Sequence, residues 1–186
     1  MNVKSNSTSI KYAAFLRGIN VGGHKTVPME QLKKTFESLG FQNVRTLLAS
    51  GNVLFDAPKK SLVELARKIG EGLEKTFGFE IGVLVRTIDE IQKLIDSAPF
   101  KNIRVTPQTR LYVTFISDKP KGALKIPFKS PGKEIKILHV STSAVLSMVT
   151  LSSSTGTIDL MGMLEREFGK NITTRNLNTI VRMVGK

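Results

Sequence analysis

Ten residues in this chain carry the donors or the backbone freedom needed to hold an anion, and they fall in three short segments. The first is Arg17-Gly18-Ile19-Asn20-Val21-Gly22-Gly23-His24-Lys25-Thr26. A glycine-rich turn leading into a helix exposes peptide N–H groups, and the helix start adds positive potential, which together make a phosphate cradle. Gly18 and Gly23 have the glycine spacing of a nucleotide-binding loop, but His24 intervenes before Lys25-Thr26. That insertion swings the lysine off the phosphates, and no acidic strand end follows to hold magnesium, so an NTPase is disfavoured. An anion site built on Arg17, Gly18, Asn20, Gly22, Gly23 and Lys25 stays open. So does the plainer reading, in which the glycines only bend the chain away from a strand.

The second segment, Ser50-Gly51-Asn52, reads as a hairpin turn, because Gly and Asn tolerate the positive φ that tight turns need. The third, Thr173 to Thr179, contains Arg175 and Asn176. Thr174 is expected to cap a terminal helix there, and the guanidinium suits phosphate because its planar fork donates twice. A fourth stretch, Lys119 to Lys133, sets five lysines among three prolines and reads as a basic surface loop. His24 is the best acid–base candidate by type, yet it has no serine–carboxylate or paired-acid constellation around it. His139 sits at a strand end. With no cysteine and two histidines, neither a metal nor a cofactor is expected.

Apolar periodicity supplies the elements that position these segments. Tyr12 to Arg17 is a buried strand, and Pro28 opens a helix through Met29, Leu32, Phe36 and Leu39. Val44 to Leu48 and Val53 to Phe55 make a hairpin. Ser61 with Glu64 forms a capping box before a helix that carries Gly70 and Gly72, and Ile81 to Val85 is a fourth strand. The order βαββαβ is ferredoxin-like. In that topology strand one ends where strand three begins, so Arg17, Asn20, Lys25, Ser50 and Asn52 are expected to converge at one sheet edge.

A second capping box, Thr87 with Glu90, opens the next helix, which Ala98-Pro99 stops. Thr109–Ile116, Ile135–His139 and Val145–Leu151 read as strands, Ile158–Phe168 as a helix, and Leu177, Ile180, Val181 and Val184 as the inner face of the last helix. The second half is also α/β, but its order is not a clean repeat of the first. The expected organisation is a tail over 1–10, a ferredoxin-like unit over 11–98, and a second, smaller α/β unit over 99–186 packed with it in one globule.

The chain of 186 residues carries a net charge of +13, with 14 basic and 9 acidic residues up to Lys93 and 14 against 6 beyond it. That balance attracts polyanions, nucleic acid first among them, without specifying a site. The polar start lacks the apolar run of a secretory signal, and no stretch reaches the length of a membrane span, so no membrane partner and a cytoplasmic location are expected.

Leu16-Arg17-Gly18-Ile19-Asn20-Val21-Gly22, Pro28-Met29, Gly40-Phe41, Val44-Arg45-Thr46, Ser50-Gly51-Asn52-Val53 and Thr174-Arg175-Asn176 with Asn178-Thr179 together resemble a widespread bacterial family catalogued as a domain of unknown function, DUF1697. The resemblance runs from Lys11 over nearly the whole chain. It implies an α/β fold of ferredoxin-like character and carries no activity, substrate or catalytic residue. Leu47 and Leu177 stand where the family often has Tyr and Trp.

Two function classes follow. A binding module would meet a polyanion or phosphorylated ligand, most simply nucleic acid, through phosphates. The base-stacking aromatics of an RNA-recognition sheet are nearly absent, only Tyr12, Phe15 and Phe55 being on offer. An enzyme would arrange Arg17, Lys25, Asn52 and Arg175 around a small phosphorylated or carboxylated substrate, with His24 as acid–base.

Overall fold

The computed structural model describes residues 9–23, 25–97, 99–117, 128–130, 132, 134–151 and 159–185. Expectations for the first eight residues, for His24 and for the lysine–proline segment other than Phe128–Ser130 and Gly132 lie outside the described residues. The chain divides into two compact units, Met1–Ile91 and Gln92–Lys186, described in turn.

In the first unit β1 (Ser9–Arg17), α1 (Met29–Ser38), β2 (Gln42–Leu47), β3 (Asn52–Pro58), α2 (Leu62–Phe77) and β4 (Gly82–Thr87) form the βαββαβ order, and α3 (Ile88–Asp96) follows. The four strands lie in the order β2-β3-β1-β4, every neighbour antiparallel. This is the ferredoxin-like arrangement expected from the periodicity. Alternation splits β1 between two faces. Tyr12, Ala14 and Leu16 meet Leu32 and Phe36 of α1 and Leu65, Ile69 and Leu73 of α2 in one core. Tyr12 stacks on Phe55 at 5.5 Å, and Phe36 and Phe41 close around that ring. Gly72 lets the Leu39 side chain lie against α2, since a Cβ there would come within 2.8 Å of the Leu39 methyl groups and force them to shift. What weakens the helix by propensity thus lets α1 and α2 approach. The opposite face of the sheet carries Ala13 and Phe15, also buried.

Two caps differ from each other. Thr87 and Glu90 make the reciprocal pair, Glu90 N–H donating to Thr87 Oγ1 at 3.1 Å and Thr87 N–H to Glu90 Oε2 at 2.9 Å. Ser61 precedes α2 but accepts no capping bond, so the first box does not form.

The second unit contains β5 (Thr109–Ile116), β6 (Phe128–Lys129), β7 (Ile135–Val140), β8 (Ala144–Thr150), α4 (Leu160–Phe168), β9 (Ile172–Asn176) and α5 (Leu177–Met183). Its sheet runs β6-β7-β8-β5-β9, again antiparallel throughout. Ile116, Ile137, Val145 and Val149 pack with Leu164 and Phe168 of α4.

The sheet of the second unit repeats that of the first. β7-β8-β5-β9 has the order and directions of β2-β3-β1-β4, β6 being an added edge. The registers agree residue by residue: Ala13 faces Leu54 and Arg86, and Val113 faces Leu146 and Arg175. Leu16 N–H donates to Gly51 O at 2.7 Å, and Ile116 N–H to Ser143 O at 3.1 Å. Sequence order hid this because β9 was not expected as a strand. Its residues Ile-Thr-Thr-Arg-Asn show no apolar alternation, and Thr174 lies inside it, while Asn176 caps α5 by accepting from Asn178 N–H at 2.9 Å. Among the described residues no helix is long and apolar enough to cross a membrane.

Candidate functional site

The loop between β1 and α1 is tied down by its own polar side chains. Asn20, at φ 54°, donates through Nδ2 to Val27 O at 3.1 Å and to Ala49 O at 2.9 Å. Its Oδ1 accepts Val27 N–H at 2.8 Å, and its own N–H donates to Lys25 O at 3.2 Å. One asparagine therefore closes the loop and joins it to the β2–β3 turn. Gly51 sits at φ 75°, and a Cβ there would approach Leu16 Cβ and Ile19 Cδ1 to 2.8 Å. Only glycine satisfies both the left-handed backbone and the contact. Asn52 is fully buried and donates to Leu47 O at 3.1 Å and Ser50 Oγ at 3.0 Å.

The loop and the turn do meet at one edge of the first sheet, with Arg17 half-buried at the end of β1 opposite Gly82. Lys25 is committed within the first unit. Its Nζ donates to Glu80 O at 3.1 Å and lies 5.6 Å from the Phe79 ring, so it braces the connection into β4. Gly18, Gly22 and Gly23 are exposed at this edge, all three at positive φ, beside the exposed side chains of Asn20, Val21, Lys25 and Ser50.

Arg175 and Asn176 lie in the second unit. Arg175 Nη1 donates to Thr173 Oγ1 at 2.8 Å and Thr174 O at 2.9 Å. Burial lowers its pKa to about 10, which leaves it charged at neutral pH. The equivalent residue of the first unit is Arg86, which the sequence did not single out. It is buried, donates to Val85 O at 2.7 Å, and has its pKa lowered by burial against the opposing effect of Glu90. The shared signal is an arginine, then a capping Thr or Asn, then an apolar residue, at a strand-to-helix junction: Arg86-Thr87-Ile88 and Arg175-Asn176-Leu177.

Tyr12, Phe15 and Phe55 are all buried, so none of them presents a face to a base. His139 is exposed on β7. No group of three or more His, Cys, Asp or Glu able to hold a metal occurs among the described residues.

The fold and edge define a two-unit α+β protein whose units share one ferredoxin-like sheet plan. The chain belongs to the family described as "Protein of unknown function (DUF1697)", whose profile matches residues 10–145. No curated protein matches it. Among solved structures it is similar to the conserved bacterial protein SP0830 from Streptococcus pneumoniae, at 18% identity and a TM-score of 0.66, with 95% of this chain and 97% of that one covered. That likeness speaks to the fold alone.

Proposed function

We propose that the protein binds a polyanion, nucleic acid before others, at the edge formed by the β1–α1 loop and the β2–β3 turn. The carrying observation is the exposed pair Gly22–Gly23, both at positive φ in the loop that Asn20 ties to the β2–β3 turn, in a chain of net charge +13. A loop already fixed loses little conformational freedom on binding, and peptide N–H groups bare of side chains admit a phosphate closely. Arg17, at the end of β1, adds a positive charge at the same edge. With the aromatic residues buried, recognition goes through phosphates, so binding is sequence-tolerant and weakens as salt rises, while the fixed loop keeps it measurable near physiological salt. A cytosolic setting fits this reading.

Fluorescence anisotropy of a short labelled single-stranded RNA, at low and near-physiological salt, tests it. Micromolar binding that persists at the higher salt and weakens at least tenfold in Arg17→Ala is the expected result. Binding confined to low salt and indifferent to Arg17→Ala reduces the effect to diffuse charge and sinks the site.

A further inference from the structure

The β6–β7 hairpin of the second unit contains an arrangement that folding alone disfavours. Lys129 and Lys136 are directly opposite each other across the two strands. Cβ atoms of such a pair lie about 5 Å apart, and like charges so placed are destabilising. Among the described residues neither ammonium has an ion-pair or hydrogen-bond partner, and the nearby Glu134 carboxylate takes the Ser130 hydroxyl at 3.2 Å. Lysine on an edge strand guards against sheet-to-sheet aggregation. That explains Lys129 on β6. It does not explain Lys136, half-buried on an interior strand opposite Met148.

A second feature extends the same face. The β7–β8 register shifts between Ile137 and His139, so that His139 faces Leu146. Without the extra residue, simple alternation would put His139 on the α4 side with Ile137, three residues beyond Lys136. The bulge returns it to the face of Lys136, and re-aiming a side chain is a common use of bulges. Lys129, Lys136 and exposed His139 thus line one face of the hairpin, the histidine about 10 Å further along.

We propose that this strip is a second docking surface, for the phosphodiester backbone of nucleic acid. Two cations side by side and a third donor further along fit a chain of phosphates better than one compact anion. An anionic lipid surface is the less suited partner, because binding there needs apolar insertion. Among the described residues the large exposed apolar side chains, Val21, Leu48, Val63, Val105 and Leu151, all lie outside the hairpin.

The test is RNA anisotropy across a salt series for wild type, Lys129→Gln/Lys136→Gln, and Lys33→Gln/Lys34→Gln. The control pair removes the same charge from α1, where the lysines are paired with Glu37 and Glu30. The hairpin variant is expected to bind about tenfold more weakly at low salt, with a slope of log affinity against log salt shallower by about 1.4, two contacts at about 0.7 each. The control is expected to keep the wild-type slope. Equal loss in both variants, no loss in the hairpin variant, or hairpin-dependent binding of phosphatidylglycerol vesicles in place of RNA overturns the proposal. Its fate is separable from that of the loop site, because Arg17→Ala reports only on the first unit. Thermal melting confirms that the hairpin variant is folded, and removal of the like-charge pair should leave it at least as stable.

Discussion

Asn20 occupies a left-handed backbone that costs most side chains about 1–2 kcal/mol, and it offsets that cost with two donated bonds and two accepted or backbone bonds around the loop. Net contributions of about 1 kcal/mol per bond, discounted for partial exposure, give roughly 2 kcal/mol lost in Asn20→Ala. Urea unfolding at constant slope reads this directly, and a loss below about 0.5 kcal/mol would mean the loop is not held as argued. Ser147 is the opposite case. It is fully buried among Tyr112 and Ile137, and its hydroxyl has no hydrogen-bond partner among the described residues. Its counterpart in the first sheet is Phe55. Ser147→Ala removes an unsatisfied donor and is expected to stabilise by about 1 kcal/mol; destabilisation would reveal a partner for the hydroxyl.

At the scale of elements, two similar motifs separate. Thr87→Ala should cost about 1 kcal/mol, because a reciprocal cap is lost at the start of α3. Ser61→Ala should change stability by less than about 0.5 kcal/mol, because no capping bond exists to lose. The same pair of melts decides both, and equal losses would refute the distinction. The contrast shows what a sequence holds. Residue types at the right spacing announce a cap, while the backbone entering the helix decides whether it closes. The first unit was legible because Tyr12–Arg17, Met29–Leu39 and the Ser50–Asn52 turn carry unambiguous periods and punctuation, and the meeting of loop and turn followed from topology. The polar strand β9 was not legible: Thr173, Thr174 and Arg175 earn their place by pairing with Phe115, Thr114 and Val113, contacts about sixty residues away along the chain. Nor was the internal commitment of Lys25, Asn20 and Asn52, because a donor's type does not reveal whether a carbonyl of its own chain already waits for it.

For the whole molecule the deciding quantity is charge. Unit one holds 13 basic and 9 acidic residues, and unit two 15 and 6, so self-repulsion is concentrated in the second. Added salt relieves such repulsion generally and raises the melting temperature a little. A bound polyanion does more. At a hundredfold excess over Kd it stabilises the folded state by about 2.7 kcal/mol. At about 2–4 °C per kcal/mol for a chain of this size, RNA should raise the melting temperature by roughly 8 °C. Sodium chloride at the same ionic strength sets the baseline. If the salt alone reproduces the shift, the charge is merely screened, and neither the loop nor the hairpin holds a ligand. If RNA exceeds it, hydrogen exchange tells the two surfaces apart. Protection of Val21–Gly23 belongs to the first unit, and protection along Lys136–His139 to the second.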